Sequence, residues 1–165
     1  MSEAEQAWFA VHTKPRCEKK LDGMLGRLGW EHYLPLVERR HRHGAVFRAY
    51  TKPLFTGYVF AKIPLEQKAR LYQRQLVVRT IGVTDEGLFL RQLDAIRALV
   101  AAGVGLALRA RLTRGARVRV KSGPLRGIEG VVENPGRNEG IVVSMDVIQQ
   151  GVHVAVPMED IEPLD

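Results

Sequence analysis

The stretch KPLFTGYVFAKI, residues 52–63, is crowded with large apolar side chains that do not fall at helical spacing. From Tyr58 onward, a strand places Tyr58, Phe60 and Lys62 on one face and Val59, Ala61 and Ile63 on the other. Both faces then carry apolar side chains, more than a half-buried strand in a small protein needs. One face belongs to a core, and the other asks for a partner.

Working outward, WFAVHT (residues 8–13) reads as a further strand, rich in aromatic and β-branched residues. Thr13 is placed to cap a following helix, with Pro15 in the first turn, where its missing N–H costs nothing. Leu21, Met24, Leu25 and Leu28 follow at helical spacing and Gly29 can close the helix. Lys14, Arg16, Lys19, Lys20 and Arg27 give that helix a basic surface. YLPLVERRHRHGAVFRAY (33–50) has apolar ends and a basic middle, and predicts a hairpin with His41, Arg42, His43 and Gly44 at its tip. PLEQKARLYQRQL (64–76) predicts a short helix and VVRTIGV (77–83) another strand. Leu93, Ile96, Leu99 and Val100 mark another sizeable helix ending near Gly103. Helices packed on an antiparallel sheet, an α+β domain over residues 1–103, follow from that order.

Residues 104–113, the start of VGLALRARLTR, offer little to anchor them and are expected to form a linker. From residue 114 to 165 the chain is a succession of short strands separated by turn signals: ARVRVKSG, GIEGVVENPG, EGIVVSMDVI, GVHVAVP and EDIEPL. That rhythm predicts a small all-β barrel, whose closure would shield its edges. Gly127, Gly130, Gly136, Gly140 and Gly151 argue against a helical alternative for this part, since each interior glycine costs a helix about 1 kcal/mol.

Charge changes at the expected linker. Of the chain's 25 Lys/Arg and 18 Asp/Glu, residues 1–113 hold 19 and 10, a net of +9, and residues 114–165 hold 6 and 8, a net of −2. Two domains with different partners fit this division. The basic part suits nucleic acid or an acidic protein surface, or simply solubility. No apolar run approaches the ~20 residues of a membrane span, and MSEAEQAW lacks the basic start and apolar stretch of a signal peptide. A cytoplasmic location and no membrane contact are expected, and the lone Cys17 fits a reducing compartment.

No constellation for catalysis stands out. SGPLRGIEG (122–130) has glycines but neither a Gly-Lys-Ser/Thr element nor a following helix, so no nucleotide site is expected. His32, His41, His43 and Cys17 match no familiar metal spacing, and the arginines beside His41 and His43 would repel a cation. Cys17 with His12 lacks a third, orienting group and reads as an ordinary helix cysteine. Carboxylates are scattered rather than paired. The sequence predicts no enzyme, no cofactor and no metal.

Two motifs in order, WFAVHTKP…EKKL with KPLFTGYVFAKI and RTIGV, then GARVRVKSGPLRGIEGVVE, resemble the bacterial NusG family of transcription elongation factors. GARVRVKSGPLRGIEGVVE is similar to a KOW motif, which also occurs in ribosomal proteins. PLFTGYVF is similar to the specialised paralogues typified by RfaH. The resemblance implies an N-terminal domain that binds RNA polymerase at the β′ clamp helices and bridges towards the β subunit. It further implies a KOW domain that recruits ribosomal protein S10 or Rho, in a protein that works as a monomer. Pause-resistant elongation with antitermination is the expected activity. The alternatives are a housekeeping NusG acting with Rho, and a KOW-containing RNA- or ribosome-binding protein unconnected to polymerase.

Residue by residue, the resemblance implies that Tyr58 and Phe60 sit in the polymerase-binding patch with Leu54 and Phe55 at its border, where core packing is the competing expectation. Tyr58 and Phe60 are therefore expected to lie exposed while Val59, Ala61 and Ile63 face inward. Lys14 matches a position that contacts the non-template DNA strand in the paralogues. Arg16 and Lys20 would extend a basic track, and His41, Arg42 and His43 would add a contact at the hairpin tip; a solvated basic face is the plainer alternative. Gln73, Arg74 and Gln75 fall roughly where paralogues touch the β subunit. Ile128 matches the apolar KOW loop position that faces the other partner, against a place in the barrel core.

Overall fold

The computed structural model describes residues 5–133 and 140–164, and the chain divides into two compact units, Met1–Thr84 and Asp85–Asp165. The turn expected in ENPG (133–136) falls largely on residues outside those described.

In the first unit, strands β1 (Gln6–Thr13), β2 (His32–Tyr33), β3 (Leu36–His43), β4 (Val46–Pro53), β5 (Tyr58–Pro64) and β6 (Val77–Gly82) accompany helix α1 (Glu18–Leu28). Four of them make an antiparallel sheet in the order β2-β5-β1-β6. Its register pairs Ala7 with Ile63, Phe9 with Ala61 and Val11 with Val59. Those six side chains therefore share one face, as the alternation predicts. On that face they pack with Leu21, Met24 and Leu25 of α1, and with Trp30, Leu34, Leu71 and Val77. Leu21 and Leu25 are fully buried, each contributing about 1.5–3 kcal/mol. Val59, Ala61 and Ile63 do face inward.

Helix α1 starts later than Thr13 would set it. Thr13 still belongs to β1, and its N–H donates to the Gly57 carbonyl at 2.8 Å. The chain then turns through Lys14–Arg16, with Arg16 at φ 59°, and Cys17 becomes the N-cap without a side-chain cap bond. Cys17 is thus a cap residue rather than an interior helix position. Gly29 closes α1 in the left-handed region at φ 72°, where a glycine carries no Cβ penalty. Residues Leu65–Tyr72 form a 3-10 helix rather than an α-helix. Of their apolar side chains only Leu71 is buried, whereas Leu65 and Tyr72 are exposed. Strands β3 and β4 pair from Leu36↔Pro53 to His43↔Val46, giving the expected hairpin. Its turn is Gly44–Ala45, with Gly44 at φ 61°, so His41 and Arg42 stand within the strand, one step back from the tip.

The other unit opens with helix α2 (Glu86–Ala102), capped by Asp85, whose carboxylate accepts the Leu88 N–H at 3.0 Å, and closed by Gly103. Strands β7 (Leu106–Arg109), β8 (Ala116–Val120), β9 (Glu129–Val132), β10 (Ile141–Met145), β11 (Gln150–Val154) and β12 (Ile161–Pro163) form one antiparallel sheet. Their order is β12-β8-β9-β10-β11-β7. Val118, Val120, Val132, Ile141, Val143, Met145, Val152 and Val154 are buried within it. Helix α2 lies against β10. The segment expected to be an unanchored linker supplies β7, which pairs with β11 from Leu106↔Val154 to Arg109↔Gly151. The open edge of β11 needs backbone partners, and any extended segment can supply them. Leu106, Leu108 and Leu112 alternate with Ala107, Arg109 and Arg111 in this segment, a strand pattern that does not say which edge it joins.

Candidate functional site

The outer face of the four-stranded sheet is built from the same register. Trp8 faces Lys62, Ala10 faces Phe60 and His12 faces Tyr58 across β1 and β5, while Tyr33 pairs with Phe60 from β2. The imidazole of His12 stacks on the Tyr58 ring, with centroids 5.0 Å apart and planes 18° apart. Tyr58 is half-buried. Phe60, expected to be exposed, is completely buried, as is Phe55, and Leu54 is only 4% exposed. The rings of Phe55 and Phe60 meet edge to face at 6.1 Å and 79°. Ala10, the small residue opposite Phe60, leaves room for a large ring at that place. Of the four residues assigned to the patch, only Tyr58 keeps appreciable access to solvent.

The loop before Tyr58 is fixed by a residue of the EKKL segment to which the sequence assigned no role. Glu18, in the first turn of α1, is 6% exposed, and its carboxylate accepts the Gly57 N–H at 2.9 Å. Leu54 N–H donates to Pro35 O at 2.9 Å and Tyr58 N–H to Phe55 O at 3.2 Å. Gly57 sits at φ 87°, and a Cβ there would come within 3.5 Å of the His12 ring. The loop is therefore clamped to both β1 and α1.

Lys14, Arg16 and Lys20 are all exposed at the start of α1. The helix dipole adds positive potential at that end, and the Glu18 carboxylate in the first turn, directed inward onto Gly57, offsets part of it. Lys19 reaches the base of the hairpin, where its Nζ donates to the Thr51 carbonyl at 2.6 Å and lies 3.2 Å from Thr51 Oγ1. The structure thereby joins two basic segments that lie apart in sequence. His41, Arg42 and His43 are exposed on β3. Gln73, Arg74 and Gln75 are exposed too, with Gln75 at φ 58°.

Ile128 is 7% exposed and forms part of the packing of its own unit. It also lines a cleft of about 650 Å³ whose other walls include Leu88, Ala95 and Ala98 of α2 and Val143 of β10. Gln92 of α2 holds the end of that cleft: its Nε2 donates to Asp146 Oδ1 at 3.0 Å, and its Oε1 accepts the Asp146 N–H at 2.9 Å. Among the described residues no group of three His, Cys, Asp or Glu could hold a metal ion, and no helix is long and apolar enough to cross a membrane. The Cys17 thiol donates to the Pro15 carbonyl at 3.4 Å.

Fold and site together define a protein of two units, an α+β unit with an aromatic sheet face and a basic arm, and a unit whose α-helix lies on a six-stranded sheet. The family model described as "NusG: Transcription termination factor nusG" matches residues 6–94, more than half of the chain. This chain belongs to the NusG family of transcription factors. Among solved structures, "Domain interaction in Thermotoga maritima NusG" is similar over 98% of this chain and 98% of that one, at 18% identity and a TM-score of 0.52, a likeness of fold. A comparison with curated proteins finds no match.

Proposed function

We infer that this protein is a transcription elongation and antitermination factor that binds RNA polymerase through its N-terminal domain and recruits a further partner through a C-terminal KOW domain. The observation that carries this reading is the family match over residues 6–94, which spans the whole aromatic sheet face. Tyr58 is its accessible contact for the β′ clamp helices. Leu54, Phe55 and Phe60 shape the patch from beneath, and exposed Gln73, Arg74 and Gln75 reach towards the β subunit. Lys14, Arg16 and Lys20, with His41, Arg42 and His43 on the arm, contact the non-template DNA strand, an electrostatic and hence salt-sensitive interaction.

In functional terms the chain divides into a polymerase-binding domain at 1–103, a connection at 104–113 and the KOW domain at 114–165. Support for placing α2 with the first domain comes from the family match, which ends inside that helix at residue 94. Ile128 is the KOW contact for ribosomal protein S10 or Rho, and a partner using it enters the cleft beside α2. The description of the family as termination factors favours one alternative reading, a housekeeping NusG working with Rho.

In vitro transcription on pausing templates, with and without Rho, tests the choice. Suppressed pausing without stimulation of Rho supports antitermination, and Rho stimulation supports the housekeeping role. Failure to co-purify with RNA polymerase overturns both.

A further inference from the structure

The cleft beside α2 lies wholly within the C-terminal compact unit. Leu88, Arg91, Ala95 and Ala98 reach it from α2, at the steps of three or four residues that keep to one face of a helix. Ala95 and Ala98 are small, and the room they leave has a consequence. A volume of about 650 Å³ falls within the range of about 300–1,000 Å³ that small-molecule sites occupy. The sheet supplies Val131 and Arg117, cross-strand partners that share a face, together with buried Ile128 and Val143. Arg126 joins them from the turn before β9. That turn lies in SGPLRGIEG, which lacks the elements of a phosphate-binding glycine loop, so an anion here would meet a guanidinium rather than a row of backbone N–H groups.

The charges of this unit are sorted between structure and cleft. Arg109 is paired with Glu133 at 3.2 Å, and Arg119 with Glu129 at 2.8 Å. Arg91, Arg117 and Arg126 are exposed, and among the described residues none of them has an ion pair or a side-chain hydrogen bond. Of the carboxylates at the cleft, Glu129 answers Arg119 and Asp146 holds Gln92, which leaves Asp94 unpaired.

We propose that this cleft binds a small amphipathic anion, a flat ring system carrying phosphate or carboxylate groups. Its ring lies between Ala95 and Ala98 on one wall and Ile128, Val131 and Val143 on the other. Its anionic oxygens meet Arg91, Arg117 and Arg126, and Asp94 accepts an N–H or O–H from it. A guanidinium presents paired donors to carboxylate or phosphate and also stacks on rings, so the arginines suit both characters of one ligand. A bare phosphate would leave the apolar walls unused, and a neutral hydrocarbon would leave the guanidiniums unused. This goes beyond the proposed function and needs neither RNA polymerase nor the KOW partner. A ligand lodged there covers Ile128 and competes with that partner.

The test titrates the full chain with anilinonaphthalene sulfonate, a fluorescent ring system with one anionic group, and then displaces it with ATP or with naphthoate. Saturable one-to-one binding is expected, and the stronger displacer identifies phosphate or carboxylate as the natural anionic group. Arg117→Gln and Arg126→Gln should each weaken binding roughly tenfold, and Ala95→Phe, which fills the cleft, should abolish it. Arg79→Gln, in the other unit, should leave affinity within about twofold. Methyl NMR of the wild type needs no variant to fold: signals of Ala95, Ala98, Ile128, Val131 and Val143 should shift on titration. Absence of binding, displacement by neither competitor, indifference to both arginine changes, or shifts confined to other methyls each overturn the proposal. Shifts of these methyls by a protein partner alone also overturn it, and make the cleft a protein contact. The transcription assay reports on the proposed function separately, since a chain that binds the dye but affects neither pausing nor Rho condemns only that reading.

Discussion

Replacing Phe60 with alanine separates a core residue from a docking residue, and the structure commits to the first. Phe60 is completely buried and meets Phe55 edge to face at 6.1 Å, opposite Ala10. Truncation deletes a whole ring, and Ala10 has no side chain to swing into the space. Phe→Ala changes at such sites cost about 3–5 kcal/mol, of which the lost aromatic pair is about 0.5–1.5 kcal/mol. Urea unfolding followed by circular dichroism should therefore show a loss in that range with an unchanged denaturant slope. Tyr58→Ala is the internal control: Tyr58 is half-buried and stacked on His12, so its removal should cost about 1 kcal/mol. Its effect on polymerase binding should exceed its effect on stability. A Phe60→Ala protein that loses less than about 1 kcal/mol would refute the reasoning and return Phe60 to the exposed patch.

Other perturbations follow from single contacts. Glu18→Ala leaves the Gly57 N–H without its buried acceptor and should cost about 1–3 kcal/mol in chemical denaturation, whereas Glu18→Gln keeps an oxygen there and should recover most of it. Gly130→Ala would set a Cβ 2.7 Å from the Val142 carbonyl oxygen, so β9 must move from β10, and strand-specific amide exchange in that sheet should accelerate. Asp85→Ala removes the cap on the Leu88 N–H and should lower stability by about 1 kcal/mol, read as a small shift in the thermal midpoint.

Period-2 alternation divided β5 into Val59, Ala61 and Ile63 on one side and Tyr58, Phe60 and Lys62 on the other, as the register has it, while the choice of the first set as the inner one came from the family resemblance. The same alternation could not tell whether the outer face was covered. Burial of Phe60 depends on groups brought to it by the fold, such as Phe55 across a loop, and no local pattern encodes them. Glu18 was invisible for a similar reason: a first-turn glutamate is ordinary on any helix, and its acceptor role exists only because Gly57 arrives beside it. Strand β7 is a third case: Leu106 is buried, but the β11 edge it joins is supplied by the fold. The hairpin was legible through its charge and its glycine, but Phe47 and Tyr50 are ordinary strand aromatics by sequence, and only the fold leaves them exposed.

Helix α2 shows where sequence family and compactness divide the chain differently. The family match runs to residue 94, into the helix, while the C-terminal compact unit begins at residue 85 and contains all of it. At the cleft, α2 is joined to the residue after β10 by paired hydrogen bonds between Gln92 and Asp146 that are exposed and contribute about 1 kcal/mol each, while Phe89, Leu93, Ile96 and Leu99 of the same helix are buried. The side chains it turns to the cleft near Ile128 include Ala95 and Ala98, whose small size buries little area. A partner that needs Ile128 therefore meets small side chains at the cleft, on a helix whose larger apolar residues are buried away from it. The open volume of about 650 Å³ gives an inserted apolar side chain a place to lodge before α2 moves at all. On these grounds Ile128 is reached first through the cleft itself, because any shift of α2 would also have to move its buried Phe89, Leu93, Ile96 and Leu99.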